Sequence, residues 1–228
     1  MRNTLLSLVL AASAVLAQSS FGPDHNTTSI IGTWSSGTQQ VVPGQGFANP
    51  AQTSFTYPKT PGVGYAFSDD GWYELARYRF AANGSHPECI IGTVVWAHGH
   101  YDLLQNGSIV LTPAGDGYQQ VQSPCTKDHD SNFIQNYNDT ELFIDWRIFN
   151  TVAFGPKLHL FQYDGSPVAP MFRLSEQPNM LPKQKLRNVA QTVVTTTSDG
   201  LVSTETLVSR KRERRAAEPR GWGAFWPW

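Results

Sequence analysis

The stretch GVGYAFSDDGWYELARYRF, residues 62–80, sets two apolar arms around an Asp69-Asp70-Gly71 turn. An Asp-Gly pair supplies the positive φ that a tight hairpin needs, so the segment reads as two antiparallel strands. In the second arm Trp72, Glu74, Ala76, Tyr78 and Phe80 share one face, while Tyr73, Leu75, Arg77 and Arg79 share the other. The same pattern recurs down the chain. Residues 90–104 form a strand-like run with a break expected at Gly99, and Asn106-Gly107 turns the chain into residues 108–112. Residues 141–149 (ELFIDWRIF) and 157–163 (KLHLFQY) make a further pair around Gly155-Pro156. Asp164-Gly165-Ser166-Pro167 ends that run before residues 171–174.

No long window in this region keeps a 3.6-residue period with caps. Short strands, closely spaced turn residues and 12% aromatics point to an all-β antiparallel barrel or sandwich. Gly32-Thr33-Trp34 on the first strand favours the barrel, because a Gly-x-Trp there is similar to lipocalin-like barrels, where the Trp plugs one end. The expected fold is an antiparallel lipocalin-like β-barrel with a disordered C-terminal tail, and a β-sandwich is the alternative.

The N-terminus sets the compartment. Arg2 precedes the apolar run LLSLVLAASAVL, residues 5–16, and Val15-Leu16-Ala17 offers a cleavage site before Gln18. That is the layout of a secretory signal peptide over residues 1–17, too short to span a bilayer. Four sequons follow, at Asn26, Asn83, Asn106 and Asn138, none with proline in the middle. Cys89 and Cys125 are the two cysteines, and in an oxidising lumen an isolated pair is expected to bond to itself. Closing a loop of about 35 residues contributes about 3.5–4 kcal/mol in the chain-entropy model.

Residues 18–185 are expected to form the folded lumenal domain. Between Gln18 and Ser209, ten Lys and Arg stand against sixteen Asp and Glu, a net charge of −6. That balance is unsuited to nucleic acid, which needs a basic face. Residues 186–228 differ in character. A Thr/Ser-rich stretch, residues 188–209, reads as a flexible stalk. RKRERR, residues 210–215, is a basic run suited to dibasic processing, to solvent, or to anionic lipid head groups. GWGAFWPW, residues 221–228, suits the bilayer interface and is too short to cross it.

No catalytic constellation stands out. His98-Gly99-His100 is the best metal candidate, since residues two apart on a strand point to one face. A third ligand, from His159 or His129, would have to converge on them; two partly buried strand histidines are the plainer reading. Asp69-Asp70 belongs to a turn, where Asp is favoured for its backbone hydrogen bonds, and adjacent turn residues do not face each other across a cleft. A Gly-x-Ser-x-Gly elbow, a phosphate-binding glycine loop and a His-Glu-x-x-His pattern are all missing from the sequence. No enzyme activity and no cofactor are expected.

The ordered strings carry a resemblance. Gly32-Thr33-Trp34-Ser35-Ser36 comes first, then Phe67-Ser68-Asp69-Asp70-Gly71-Trp72-Tyr73-Glu74, then Asn106-Gly107-Ser108 with Leu111-Thr112-Pro113 and Pro124-Cys125. Tyr137-Asn138-Asp139-Thr140-Glu141, Phe161-Gln162-Tyr163-Asp164-Gly165-Ser166-Pro167 and Met180-Leu181-Pro182 follow. In this order they resemble the fungal reversal-of-TOR-lethality family of endoplasmic reticulum chaperones. The resemblance implies a lumenal folding factor held in the endoplasmic reticulum membrane by one C-terminal span, which Trp222 to Trp228 do not supply. Its implied partners are unfolded or maturing secretory proteins, including cell-wall and glycan-synthesis components needed for β-1,6-glucan and N-glycosylation. For such a role Phe47, Phe55 and Tyr57 are candidate client contacts, with filling of the core or of a barrel mouth as the alternative. A lipocalin-like carrier of a lipid or small ligand and a glycan-acting enzyme are the competing classes.

Overall fold

The computed structural model describes residues 29–123 and 132–189, and the backbone of residues 191–196 and 202–207. Among the described residues, twelve strands lie in the compact unit that ends at Arg187. They are β1 (Gly32–Ser36), β2 (Ala48–Asn49), β3 (Ser54–Phe55), β4 (Gly62–Phe67), β5 (Trp72–Asn83) and β6 (His86–Leu103), followed by β7 (Ile109–Pro113), β8 (Tyr118–Gln122), β9 (Asn132–Asn136), β10 (Glu141–Thr151), β11 (Gly155–Gln162) and β12 (Met171–Ser175). In the second unit β13 (Gln191–Thr196) and β14 (Val202–Leu207) pair as an antiparallel hairpin within the Thr/Ser-rich segment.

The hairpin of residues 62–80 forms as expected. Tyr65 faces Leu75 and Phe67 faces Tyr73 across β4 and β5, with Gly71 at φ 82° in the turn. From it the sheet runs β5-β4-β1-β12-β11-β10-β7-β6, and β6 pairs back onto β5. Every ladder in this ring is antiparallel. The architecture is therefore an all-β barrel, and closure removes the sheet edges that a sandwich would leave.

β6 is the longest strand and pairs on both edges. β5 runs along one edge; on the other, β8 pairs with Gly92–Trp96 and β7 with Gly99–Leu103. The break expected at Gly99 is absent, and the strand continues through it. A Cβ at Gly99 would stand 2.1 Å from the Thr112 carbonyl oxygen, so the glycine marks a close backbone approach where the strand changes partner. The β10–β11 connection is also displaced from its expected place. Gly155 and Pro156 belong to β11, opposite Thr151 and Asn150. Beyond the ring, β5 and β6 extend as an arm to which β8 and β9 add.

Alternation fills the barrel. Trp34, Tyr65, Phe67, Leu75, Ile109, Leu111, Leu158, Leu160 and Met171 are all buried inside it, joined by Phe143 and Trp146. The Gly-x-Trp motif has two separate roles. Gly32 takes φ 127° against β12, where a Cβ would meet the Ser175 carbonyl oxygen at 2.5 Å. Trp34 enters the core, and its Nε1–H donates to the Ile30 carbonyl at 2.7 Å. The Arg173 guanidinium lies 5.9 Å from its ring.

A second core lies outside the barrel wall. Ala76, Tyr78, Val94, Trp96 and Tyr118 face away from the interior, where Val41, Phe47 and Ala48 cover them, with Phe55, Leu181 and Leu186 against the edge. The wall made by β5 and β6 is thus apolar on both faces. Replacing Trp34 by Ala empties the ring's centre and is expected to cost about 3–5 kcal/mol. Urea unfolding followed by intrinsic fluorescence measures it; a loss below about 1 kcal/mol would show the motif to be peripheral.

Candidate functional site

Two polar centres fasten the outer layer to the wall, and a third joins strands of the ring. Glu74 projects from β5 into the second core and is fully buried. Its Oε1 accepts from the Gly44 N–H at 2.7 Å and from Trp96 Nε1–H at 3.0 Å; its Oε2 accepts from the Leu181 N–H at 2.6 Å. Burial raises its pKa against the lowering effect of those three donors. One carboxylate therefore ties the 37–61 segment and the 178–187 segment to the same spot. Thr33 adds a bond from the Asn179 N–H at 2.7 Å. Lys183 adds a more exposed one to Asp70 at 2.7 Å.

His98 and Asp116 form the second centre, both buried. His98 Nε2 lies 3.0 Å from Asp116, and because an ionised carboxylate only accepts, the nitrogen donates. Asp116 Oδ2 also accepts from the Leu186 N–H at 2.6 Å. Burial works to raise the Asp116 pKa, but His98 and the Leu186 and Arg187 donors outweigh it and hold the carboxyl below its usual range. Trp96 and Trp72 stand beside the His98 ring at 4.8 and 5.6 Å. His100 shares its face but is exposed, with its ring 4.1 Å from Trp72. Among the described residues no group of three or more His, Cys, Asp or Glu side chains is placed to hold a metal ion. His159 lies on β11 against Phe149, and His129 is outside the described residues.

The third centre links β4, β5 and β10 across the barrel. Arg77 Nη2 donates to Glu141 Oε1 at 2.6 Å and to the Tyr65 hydroxyl at 2.9 Å. Tyr65 donates to Glu141 Oε2 at 2.7 Å, and Tyr137 donates to Oε1 at 3.0 Å. Burial opposes ionisation of Glu141, yet Arg77 and the hydroxyl donors pull its pKa below the usual range. Nothing in the sequence pairs residues 77 and 141. The ladder from β5 round to β10 brings them together.

Two groups of exposed apolar side chains stand out among the described residues. On the arm, alternation puts Phe80 on the face of Tyr78 and Ile90 on that of Val94. Phe80 packs across Gly92, 3.5 Å from where a Cβ would be. Ile134 joins this face opposite Gln120, and the Tyr57 hydroxyl donates to Gln120 Oε1 at 2.5 Å. Tyr57, Phe80, Ile90 and Ile134 are each 40–51% exposed. This strip continues the second core to where its cover stops. The other patch is the β10–β11 hairpin end, with Phe149, Val152 and Phe154. Of the sequence-derived contacts, Tyr57 lies on the exposed strip. Phe47 is 3% exposed and Phe55 stacks on Tyr118 at 4.6 Å, so both fill the second core. Phe80 and Ile90 were legible only as ordinary strand residues, and Ile134 lies on β9, a strand that the sequence pattern did not mark.

A family model described as Rot1, a fungal chaperone for protein-folding within the ER, matches residues 30–224. The chain belongs to the Rot1 family. It is 36% identical to Protein ROT1 of Saccharomyces cerevisiae over 93% of this chain and 83% of that one. The Candida albicans protein is 35% identical over 86% of this chain and 76% of its own length. The Schizosaccharomyces pombe protein is 37% identical over 74% and 73%. No solved structure matches. The coarse role that goes with Rot1 membership is chaperoning of protein folding in the endoplasmic reticulum. Among the described residues no helix is long and apolar enough to cross a membrane.

Glu141→Gln leaves Arg77 buried without its counter-charge and is expected to cost about 3–5 kcal/mol at neutral pH. Because the Glu141 pKa is lowered in the fold, its contribution is present above the ordinary carboxylate range. It disappears as pH falls through the folded value. Urea titrations at about pH 7 and pH 4 should show a smaller acid-induced loss in the variant; equal losses would place the acid sensitivity elsewhere.

Proposed function

We propose that this chain is a lumenal holdase that binds extended apolar segments of maturing secretory proteins along the strip of Tyr57, Phe80, Ile90 and Ile134. The observation that supports this most is the position of the strip. It is the uncovered continuation of a sheet face whose other part requires a covering segment, so a client segment there meets the kind of surface that residues 37–61 meet further along. Binding of this kind needs no nucleotide and no bond-making. Clients that build cell-wall β-1,6-glucan or carry out N-glycosylation are the class that the family resemblance suggests. A deep lipid carrier is less favoured, because Trp34, Tyr65, Phe67 and Trp146 fill the barrel interior where a calyx would lie.

The same reading places the chain in an oxidising, glycosylating lumen after removal of residues 1–17, which lie outside the described residues. We take Cys89 to pair with Cys125. Cys89 lies on β6 and no described cysteine is free, while Cys125 is outside the described residues. Asn106 and Asn138 are exposed in connections between strands, as a glycan acceptor must be. Asn83 ends β5, and Asn26 is outside the described residues.

The purified chain is expected to slow aggregation of a reduced model client at near-stoichiometric ratio. A Phe80→Asp, Ile90→Asp double variant should lose at least about half of that effect while remaining folded, since each side chain is about half exposed. Light scattering measures it, and absence of suppression by the unmodified chain ends the holdase reading. Thiol titration of the denatured, unreduced protein should find no free thiol. Endoglycosidase treatment should lower its mass, and Asn106→Gln or Asn138→Gln should each shorten the shift by one glycan; a mature protein with two thiols and no sugar would contradict the lumenal assignment.

A further inference from the structure

The barrel end beside the arm opens into two adjoining cavities of about 480 and 230 Å³, which share Arg79, Gln162 and Val168 in their walls. Their charged lining consists of Arg77, Arg79 and Glu141, two guanidinium groups against one carboxylate. Glu141 is fully engaged by Arg77, Tyr65 and Tyr137. Arg77 still has its Nε–H buried without a partner. Arg79 has no hydrogen bond or ion pair among the described residues, whereas Arg77, Arg147, Arg173 and Arg187 each have at least one. The site therefore holds one uncompensated cation and one orphaned donor in a unit that is acidic elsewhere. Its remaining walls are largely apolar, with Val63, Phe80, Pro167 and Val168.

We propose that this mouth binds a carboxylate side chain of an extended client segment, with Arg79 as its partner and the adjacent apolar residue of the segment lying on Phe80 and Val168. The choice of a peptide as occupant rests on the holdase reading. The charge requirement is independent of it, because an exposed guanidinium without a hydrogen-bonded partner gains from an anion that can take two of its N–H groups. Arg77, two residues away on the same face, repels a second cation and withdraws its own charge into Glu141. Phe80 belongs both to this mouth and to the exposed strip, so one extended segment is able to touch both. The two surfaces together select chains in which apolar and acidic residues alternate.

The test uses the full chain and three fluorescein-labelled dodecapeptides of alternating leucine with glutamate, glutamine or lysine, with binding read by anisotropy at low salt. The glutamate peptide should bind about tenfold more tightly than the glutamine peptide, the lysine peptide should bind most weakly, and added salt should erase the difference. Arg79→Gln should remove the preference for glutamate while leaving glutamine binding unchanged, and Arg79→Lys should keep part of it. Gln162→Glu, which sets a carboxylate in the same mouth, should lower glutamate binding as well. Melting curves of all variants should match the unmodified chain, because Arg79 makes no bond that the fold needs. Equal binding of the glutamate and glutamine peptides, or a preference that survives Arg79→Gln, overturns the proposal and leaves the holdase reading standing. Failure of every peptide to bind overturns both.

Discussion

The wall built by β5 and β6 is apolar on both faces, and the rest of the molecule answers that constraint. Tyr73, Leu75, Val95 and Ala97 face one way; Ala76, Tyr78, Val94 and Trp96 face the other. A strand that is apolar on both faces must be buried on both. On the inner side the sheet curls and closes on itself through the β5–β6 ladder. On the outer side the short β2–β3 pair with the segments around it, and the chain after β12, cover the wall. Where those segments stop, the arm leaves Phe80, Ile90 and Ile134 half in water, with Tyr57 at the border of the cover.

Irregular segments lying on a sheet bring unsatisfied backbone N–H groups with them, and each buried one costs about 1–3 kcal/mol if left without an acceptor. That explains two carboxylates that otherwise look misplaced in an apolar layer. Glu74 accepts from Gly44 and Leu181, and Asp116 accepts from Leu186. Each is short of the hydration it would have in water and is compensated by donors that also need partners. His98 belongs to this arrangement, supplying the donor that keeps Asp116 ionised. The metal candidate of the sequence is thus, in structural terms, half of a latch.

The proposed holdase role asks for a firm body and an uncovered apolar surface, and the fold is compatible with both. The barrel interior is filled, and Arg77, Glu141, Tyr65 and Tyr137 cross-link its strands. The arm, by contrast, carries apolar side chains that the local sheet cannot bury, because the covering segment is used up nearer the ring. Arg79 stands at the junction of these regions.

The sequence by itself determined whatever depends on near neighbours. Period-2 alternation assigned both faces of β5, Asp-Gly and Asn-Gly marked the turns, and Gly32-Thr33-Trp34 signalled a core tryptophan on a first strand. It did not reveal that Phe47 and Phe55 lie under cover while Phe80 and Ile90 lie open. Both pairs are apolar residues in plausible places, and only the length of the covering segment separates them. It was equally silent on Arg77 with Glu141, Glu74 with Leu181, and His98 with Asp116. Arg77 and Glu141 are joined by ring closure, Glu74 and Leu181 by the return of the chain after β12, and His98 and Asp116 by the β6–β7 ladder that sets Asp116 just past Pro113. Gly99 shows the same limit in one residue, since a glycine that ends a strand and one that admits a neighbouring backbone read alike until Thr112 is placed beside it. Local geometry is written in adjacent residues, whereas contact between distant ones is decided by how the sheet closes.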